Sequence, residues 1–386
     1  MSLSGATAIV GVYEHPTRWA PDKSEFQIMA ESARGALDDA GLQLGDVDGL
    51  FGASMTMGAM GIIELAEYLN LKPTYVDGTN IGGSSFVSHV THAAAAINAG
   101  LCNVALILYG STAASTSMAI GTGGGHGSRN PWDSFQSPYG MTTVGSYAMV
   151  AQLHQQRFGT TSEQLAEIAV TMRRHASMNP NAKMRTPITV DDVLSSRLIS
   201  APLHLLDCCI ISDGGGAVIV TSSERAKDLR KKPVSVLGCG ESVCHQEIGS
   251  PDLFTMGARH AAERAFGMAG VSRSDIDLAM VYDSFTITVL LTLENLGFCE
   301  LGEGGDFVSG GRIGLGGALP VNPDGGGLSN NHPGMRGIFL VIEATKQLRG
   351  ECGDRQVPNA RLAVAHGTGG TLGVAHSGAT LILGAQ

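Results

Sequence analysis

The chain has 386 residues, 43% of them hydrophobic and 16% charged, enough apolar material for a large core shared by two or three compact units. A formal charge of −10 excludes a general nucleic-acid binder, which needs a basic face to displace counterions. The 53 glycines follow no period and sit among apolar runs, which excludes collagen-like and disordered chains.

Thr7–Tyr13 opens the chain as a short continuous apolar run, predicting a buried strand. Ser24–Ala40 has helical spacing, with Met29, Ala33, Ala36 and Leu37 on one face, and stops at Gly41. Val47–Phe51 is a second strand, and a helix closing over Ala93–Gly100 precedes a strand at Val104–Tyr109. Ser111–Val144, rich in Ser, Thr and Gly, is predicted to be long loops, which inside a compact chain are commonly functional. Thr161–Ser177 is a capped amphipathic helix ending in Arg173, Arg174 and His175. Asp213-Gly-Gly-Gly216 leads into a strand at Ala217–Val220.

The same grammar then returns. Ser235–Cys239 is a strand, Met256–Ala269 a helix stopped by Gly270, and Ile276–Val281 a strand. Asp38–Leu50 lies over Gly267–Ala279 without a gap, matching Gly41 to Gly270, Asp46 to Asp275 and Asp48 to Asp277. A second ordered match pairs the helix at Ile338–Gly350 and strand at Arg361–His366 with their counterparts in the first half. This is an internal duplication of βαβ-rich halves, an α/β fold in which helices cover and separate two sheets. A pseudo-twofold places equivalent turns face to face, a natural setting for a pocket.

The seven cysteines contain no CxxC pair, so neither a disulfide framework nor a metal site is expected. No uncharged apolar run reaches membrane-span length and no signal peptide opens the chain, so a soluble cytoplasmic protein is the expectation.

Four turns carry residues suited to chemistry. Thr79–Ser85 precedes a helix whose first N–H groups can hold an oxyanion. Val281-Tyr-Asp-Ser-Phe285 ends a strand; Asn330-Asn-His-Pro-Gly-Met-Arg-Gly337 puts a His beside a Pro at an expected helix start; Ala365-His-Gly-Thr-Gly-Gly370 ends another strand. On the residues alone Ser84 or Ser85 serves equally as a helix cap, Tyr282 as a strand-end filler, and His366 as a structural hydrogen-bonder. His332 is the least easily read as structural. Tyr75, His126 and Tyr139 are further proton-donor candidates.

Ser212–Ala217 (SDGGGA), Tyr282-Asp-Ser-Phe285, Asn322–Gly337 (NPDGGGLSNNHPGMRG) and Gln347–Gly370, in this order and with the duplication, resemble the thiolase superfamily, most of all its sterol-carrier-protein and lipid-transfer-protein branch. The resemblance covers nearly the whole chain. It implies duplicated βαβαβαββ halves in a five-layered α-β-α-β-α sandwich, with residues 1–115 and 203–225 forming the first half, 116–202 a loop domain and 226–386 the second half. It also implies coenzyme A thioester substrates, no tightly bound cofactor and a homodimer. Basic residues of the loop domain, Arg173, Arg174, Lys183 and Arg185, would meet the nucleotide phosphates, with Gly369 and Gly370 beside the ligand, although a solvated helix end explains Arg173 and Arg174 equally well.

The departure from the family is chemical. The thiolase cysteine turn falls on Asn80-Ile-Gly-Gly83, so Asn80 stands where the acylated cysteine belongs, and Tyr282 and Ser284 replace the His and Cys of His-Asp-Cys-Phe. An amide is no nucleophile, and Ser84 needs a strong adjacent base. His332, His366 and Tyr282 remain to polarise a thioester and move one proton, enough for retro-aldol or Claisen-type chemistry on a β-hydroxy- or β-keto-acyl-CoA without an acyl-enzyme. Cysteine-free members of this branch resemble it and act as aldolases, usually beside a small OB-fold, zinc-carrying partner. Two other readings stand: acetyltransferase-type transfer through Ser84, and a non-catalytic acyl-CoA or lipid-binding subunit docking through Gly121–Gly127.

Overall fold

The computed structural model describes residues 3–120, 142–244, 252–372 and 376–386. His126, Tyr139 and the Gly121–Gly127 segment lie outside the described residues. The first half runs β1 (Thr7–Glu14), α1 (Glu25–Ala40), β2 (Gly49–Gly52), α2 (Gly61–Tyr68), β3 (Tyr75–Asp77), α3 (Ser85–Asn98) and β4 (Val104–Ser111). Helices α4 (Thr143–Phe158) and α5 (Ser162–Ser177) follow, and further along the chain comes β5 (Gly214–Ser222). The second half runs β6 (Val234–Cys244), α6 (Gly257–Ala269), β7 (Leu278–Val281), α7 (Thr286–Leu296), α8 (Gly337–Arg349), β8 (Leu362–Gly370) and β9 (His376–Ala385).

Helix ends follow local chemistry. Ser24 accepts the Gln27 N–H at the start of α1, Thr161 forms a capping box with Gln164 on α5, and left-handed glycines stop α1 at Gly41 and α6 at Gly270. The glycines matched by the duplication are thus the same device used twice.

The strands lie in the order β3-β2-β4-β5-β1-β6-β9-β8-β7. Read outward from the centre, β1-β5-β4-β2 is matched by β6-β9-β8-β7, and the halves join where Ala8 and Ile9 of β1 pair with Ser235 and Val234 of β6. Even the β2–β3 pairing has a counterpart, a parallel bridge from Ala279 to Val321. Strand side chains alternate between layers: Val104, Leu106 and Leu108 pack toward α1, while Ala105, Ile107 and Tyr109 face the centre. Both faces are apolar because helices cover both. Three hydrophobic clusters separate five layers: α1 and α2, the first half's strands, α3 with α8, the second half's strands, and α6 with α7. α4 and α5 add to this last layer.

α3 and α8 are the duplicated pair at the centre, and their starts touch. A Cβ on Gly337 would stand 2.1 Å from the Gly83 carbonyl, and one on Gly83 would stand 2.1 Å from Tyr282 Cε2 and 2.5 Å from the Thr368 carbonyl. Only glycine permits this approach. Gly83→Ala is therefore expected to destabilise by about 1–3 kcal/mol through overpacking, whereas Gly45→Ala, where a Cβ meets nothing within 4 Å, is expected to change little. Thermal unfolding of the two variants beside wild type checks this.

Candidate active site

The glycine contacts bring all four sequence-marked turns to one cavity of about 940 Å3. Asn80–Gly83, Tyr282 with Ser284 and Phe285, His332 with Gly334 and Met335, and Thr368–Thr371 line it, joined by Tyr147 of α4 and by His376 and Ser377 of β9. Most of the remaining wall is aliphatic, including Ile120, Val144, Ile199, Leu205, Ile211 and Val243.

The Tyr282 hydroxyl and His332 Nε2 share a hydrogen bond of 3.0 Å, with the rings edge to face at 88°. Burial first, and the charge of Arg336 second, push His332 down to about 4, so its imidazole is neutral near pH 7. Burial also holds the Tyr282 phenol well above its ordinary value. A neutral imidazole against a neutral phenol can pass a proton in either direction.

The segment carrying His332 is held by buried polar groups. Pro333 does not open a helix as expected; α8 begins at Gly337, and Gly326–Asn330 instead forms one wide π-type turn. Asp283 accepts the Gly327 and Leu328 N–H groups at 2.7 and 3.2 Å. Arg336, fully buried, ion-pairs with Asp324 and lies 3.7 Å from Asp283. Ser212 accepts the His332 N–H at 3.0 Å, and Arg18 donates to the Asn330 carbonyl at 3.2 Å. Tyr109 donates to the Pro333 carbonyl while accepting the Met335 N–H at 3.0 Å.

The other expected residues are placed as follows. The Asn80 amide donates to the Ser54 carbonyl at 3.2 Å and accepts the Gly82 N–H at 3.3 Å, so it braces the turn. Ser84 is fully buried, outside the cavity lining, its hydroxyl 2.9 Å from the Ile81 carbonyl and 2.7 Å from Ser377 Oγ. Among the described residues its hydroxyl bonds to no histidine or carboxylate. His366 is fully buried too and not in the lining: strand β8 continues through Gly370, and alternation turns its imidazole to Thr380 at 2.8 Å. Tyr75 packs on Phe51 and is likewise not in the lining.

Arg173 is 4% exposed and donates to Ser329 Oγ at 2.9 Å and the Thr186 carbonyl at 3.2 Å, so it ties α5 to the π-type turn instead of facing a phosphate. Arg174 is exposed and away from the lining, and Arg185 donates to the Ser177 carbonyl at 3.1 Å. Lys183 donates at 2.7 Å to the carbonyl of Ile211, a lining residue. Gly369 and Gly370 line the cavity.

Sequence reasoning missed Arg197, the one Lys, Arg, Asp or Glu among the described lining residues, and it missed His376, Tyr147 and three thiols. Burial pushes Cys208 up to about 12 and Cys209 further, so these lining thiols stay protonated near pH 7. Among the described residues there is no cluster fit to hold a metal and no helix long and apolar enough to cross a membrane.

Residues 240–385 match the family described as thiolase C-terminal domain-like. The chain is 34% identical to the 17-hydroxy-3-oxo-4-pregnene-20-carboxyl-CoA lyase of Mycobacterium tuberculosis, over 95% of this chain and 97% of that protein. It is equally 34% identical to an acetyl-CoA acetyltransferase of Methanothermobacter thermautotrophicus, over 95% and 97%. The solved Ltp2-ChsH2(DUF35) aldolase superposes with a TM-score of 0.88 at 32% identity, covering 99% of this chain and 98% of that one. A five-layered duplicated α/β fold enclosing such a cavity defines a thiolase-like enzyme. The chain belongs to the thiolase superfamily, within its sterol-carrier and aldolase-like branch.

A histidine of α3 holds the segment that leads into the Asn80 turn. His92 bonds Asp77 at 2.6 Å and Glu241 at 3.2 Å, and Asp77 in turn accepts the Thr79 N–H at 2.8 Å. The hydrogen bond to Asp77, then that to Glu241, raises His92 from 6.5 to about 10. A raised histidine stabilises the fold fully below its unfolded value and loses that contribution as pH climbs through its folded value. The thermal midpoint is expected to decline between pH 6.5 and about 10, and His92→Gln to flatten the decline; melting curves across that range check it.

Proposed function

We propose that this chain cleaves the carbon–carbon bond of a β-hydroxyacyl-CoA by retro-aldol chemistry, with Tyr282 and His332 as the proton relay. The observation that carries the reading is their 3.0 Å hydrogen bond inside an apolar cavity whose thiols are protonated. The lyase and aldolase relatives support it.

The relay balances as follows. The β-hydroxyl gives its proton to Tyr282 as the phenol proton passes to His332 Nε2. The Cβ–O bond becomes a carbonyl, the Cα–Cβ bond breaks, and its electron pair moves onto the thioester as an enolate. The Gly83 N–H, in the turn ahead of α3, supplies a donor for the enolate oxygen. Because burial disfavours the imidazolium, the proton returns through Tyr282 to the enolate carbon. Asn80 holds the turn and does no bond-making. Gly369 and Gly370 face the ligand, and Arg197 with Lys183 meets the coenzyme A phosphates in place of Arg173. No tightly bound cofactor is required.

Acyl transfer, suggested by the acetyltransferase relative, needs a nucleophile that neither Asn80 nor the bonded Ser84 provides. Tyr282→Phe is expected to lower kcat by about 10²–10⁴-fold, His332→Ala similarly, with thermal midpoints near wild type. Full activity in both variants overturns the relay. A turnover-dependent acyl adduct in intact-mass spectra, on Ser84 or on Cys209, overturns the enzyme-without-acylation reading.

The same reading includes the division into residues 1–115 with 203–225, a loop domain at 116–202 and a second half at 226–386. It includes a homodimer formed along β3, a sheet-edge strand whose Val76 is 49% exposed beside exposed Met60, Ile63 and Tyr68. It includes a DUF35-type partner, as in the Ltp2-ChsH2(DUF35) aldolase. Seven free thiols support a reducing, cytoplasmic setting.

A further inference from the structure

A second imidazole faces the cavity, and the proton relay does not use it. His376 begins β9, paired with Gly370 on one side and Cys244 on the other, both cavity residues. It is 5% exposed and lines the cavity itself. Its Nδ1 accepts the N–H of Gly257 at 3.4 Å. Gly257 is the first residue of α6, where backbone N–H groups have no intrahelical acceptor, so this donor is free to hold the ring.

That contact settles the tautomer. A ring that accepts at Nδ1 and is neutral carries its proton on Nε2. Burial pushes His376 down to about 4, so the neutral form prevails near pH 7. Nε2 has no hydrogen-bond partner among the described residues. A buried N–H donor beside a mostly aliphatic cavity, without an acceptor, is unfavourable, and a ligand oxygen would relieve it. A neutral imidazole held at a helix N-terminus is also a known way to polarise a carbonyl without giving up a proton. His366, the other buried imidazole nearby, has its Nδ1 on Thr380 and lies outside the lining, so it does not compete for this role.

We propose that His376 is a catalytic hydrogen-bond donor, its Nε2–H binding an oxygen of the acyl group, either the thioester oxygen or the β-oxygen. This rests on the reading of the cavity as an acyl-thioester site. The donor comes from β9 of the second half, next to the motif-marked end of β8.

The test is calorimetric and needs no turnover. Binding of a β-oxygenated acyl-CoA is compared with that of its thioether analogue, which lacks the thioester oxygen, and of its β-deoxy analogue, on wild type, His376→Leu and His376→Gln. Wild type is expected to prefer the parent by about tenfold over one analogue, the value of one hydrogen bond. His376→Leu should erase that preference, and His376→Gln, whose amide N–H reaches a similar place, should restore part of it. Loss against the thioether assigns the thioester oxygen; loss against the deoxy analogue assigns the β-oxygen. In turnover, His376→Leu should lower kcat/KM by about 10²-fold, with KM rising by about the tenfold lost in binding. Retention of both wild-type preferences in His376→Leu overturns the proposal and leaves the site reading standing, as does a wild type that binds all three ligands alike. Failure of wild type to bind any of them sinks the site reading and this proposal together.

Discussion

The fully buried guanidinium of Arg336 is the interaction on which the site depends. It lies between Asp283, on the segment that carries Tyr282, and Asp324, on the loop that carries His332. Two distant stretches of chain are thereby fixed to each other by charge in a place that water does not reach. Removing one partner of such a buried pair typically costs about 3–5 kcal/mol, because the other charge is left uncompensated. The 3.0 Å contact between phenol and imidazole is a consequence of this clamp.

The rest of the architecture serves the same juncture. Duplication supplies two equivalent helices whose starts meet glycine to glycine, and the cavity opens where those starts and the strand ends converge. Burial then sets the chemistry. It keeps His332 and His376 neutral, the tyrosines and thiols protonated, and so favours proton relay and hydrogen bonding over thiolate attack. Replacing cysteine by Asn80 fits that environment, since the amide is spent on bracing the turn.

Much of the fold was legible because its signals are local. Gly41 and Gly270 stop equivalent helices, and Asp38–Leu50 repeats as Gly267–Ala279, so the duplication could be read without coordinates. α7 was not legible: Thr286–Leu296 is buried all round, rich in Thr, Ile, Val and Leu, and has no amphipathic period to reveal a helix. The π-type turn at Gly326–Asn330 was hidden for another reason, since side chains distant in sequence, Asp283, Arg173 and Arg18, hold it. Of the site, Tyr282 and His332 stood in recognisable motifs. His366 misled because strand alternation, unseen in a glycine-rich run, turns it away from the cavity, while His376 sits in an unremarkable Ala-His-Ser and gains its place only through β9 pairing. Arg173 looked like a solvent-facing helix end, yet it is buried by the turn it holds.

The most direct test of the account is a crystal structure of the protein with a slowly reacting β-hydroxyacyl-CoA bound. The β-hydroxyl is expected within about 2.6–3.2 Å of the Tyr282 oxygen, with the Tyr282–His332 hydrogen bond intact behind it and the thioester facing the Gly82–Gly83 turn. An acyl group bound elsewhere, or bound here with its β-oxygen directed away from Tyr282, would contradict the account.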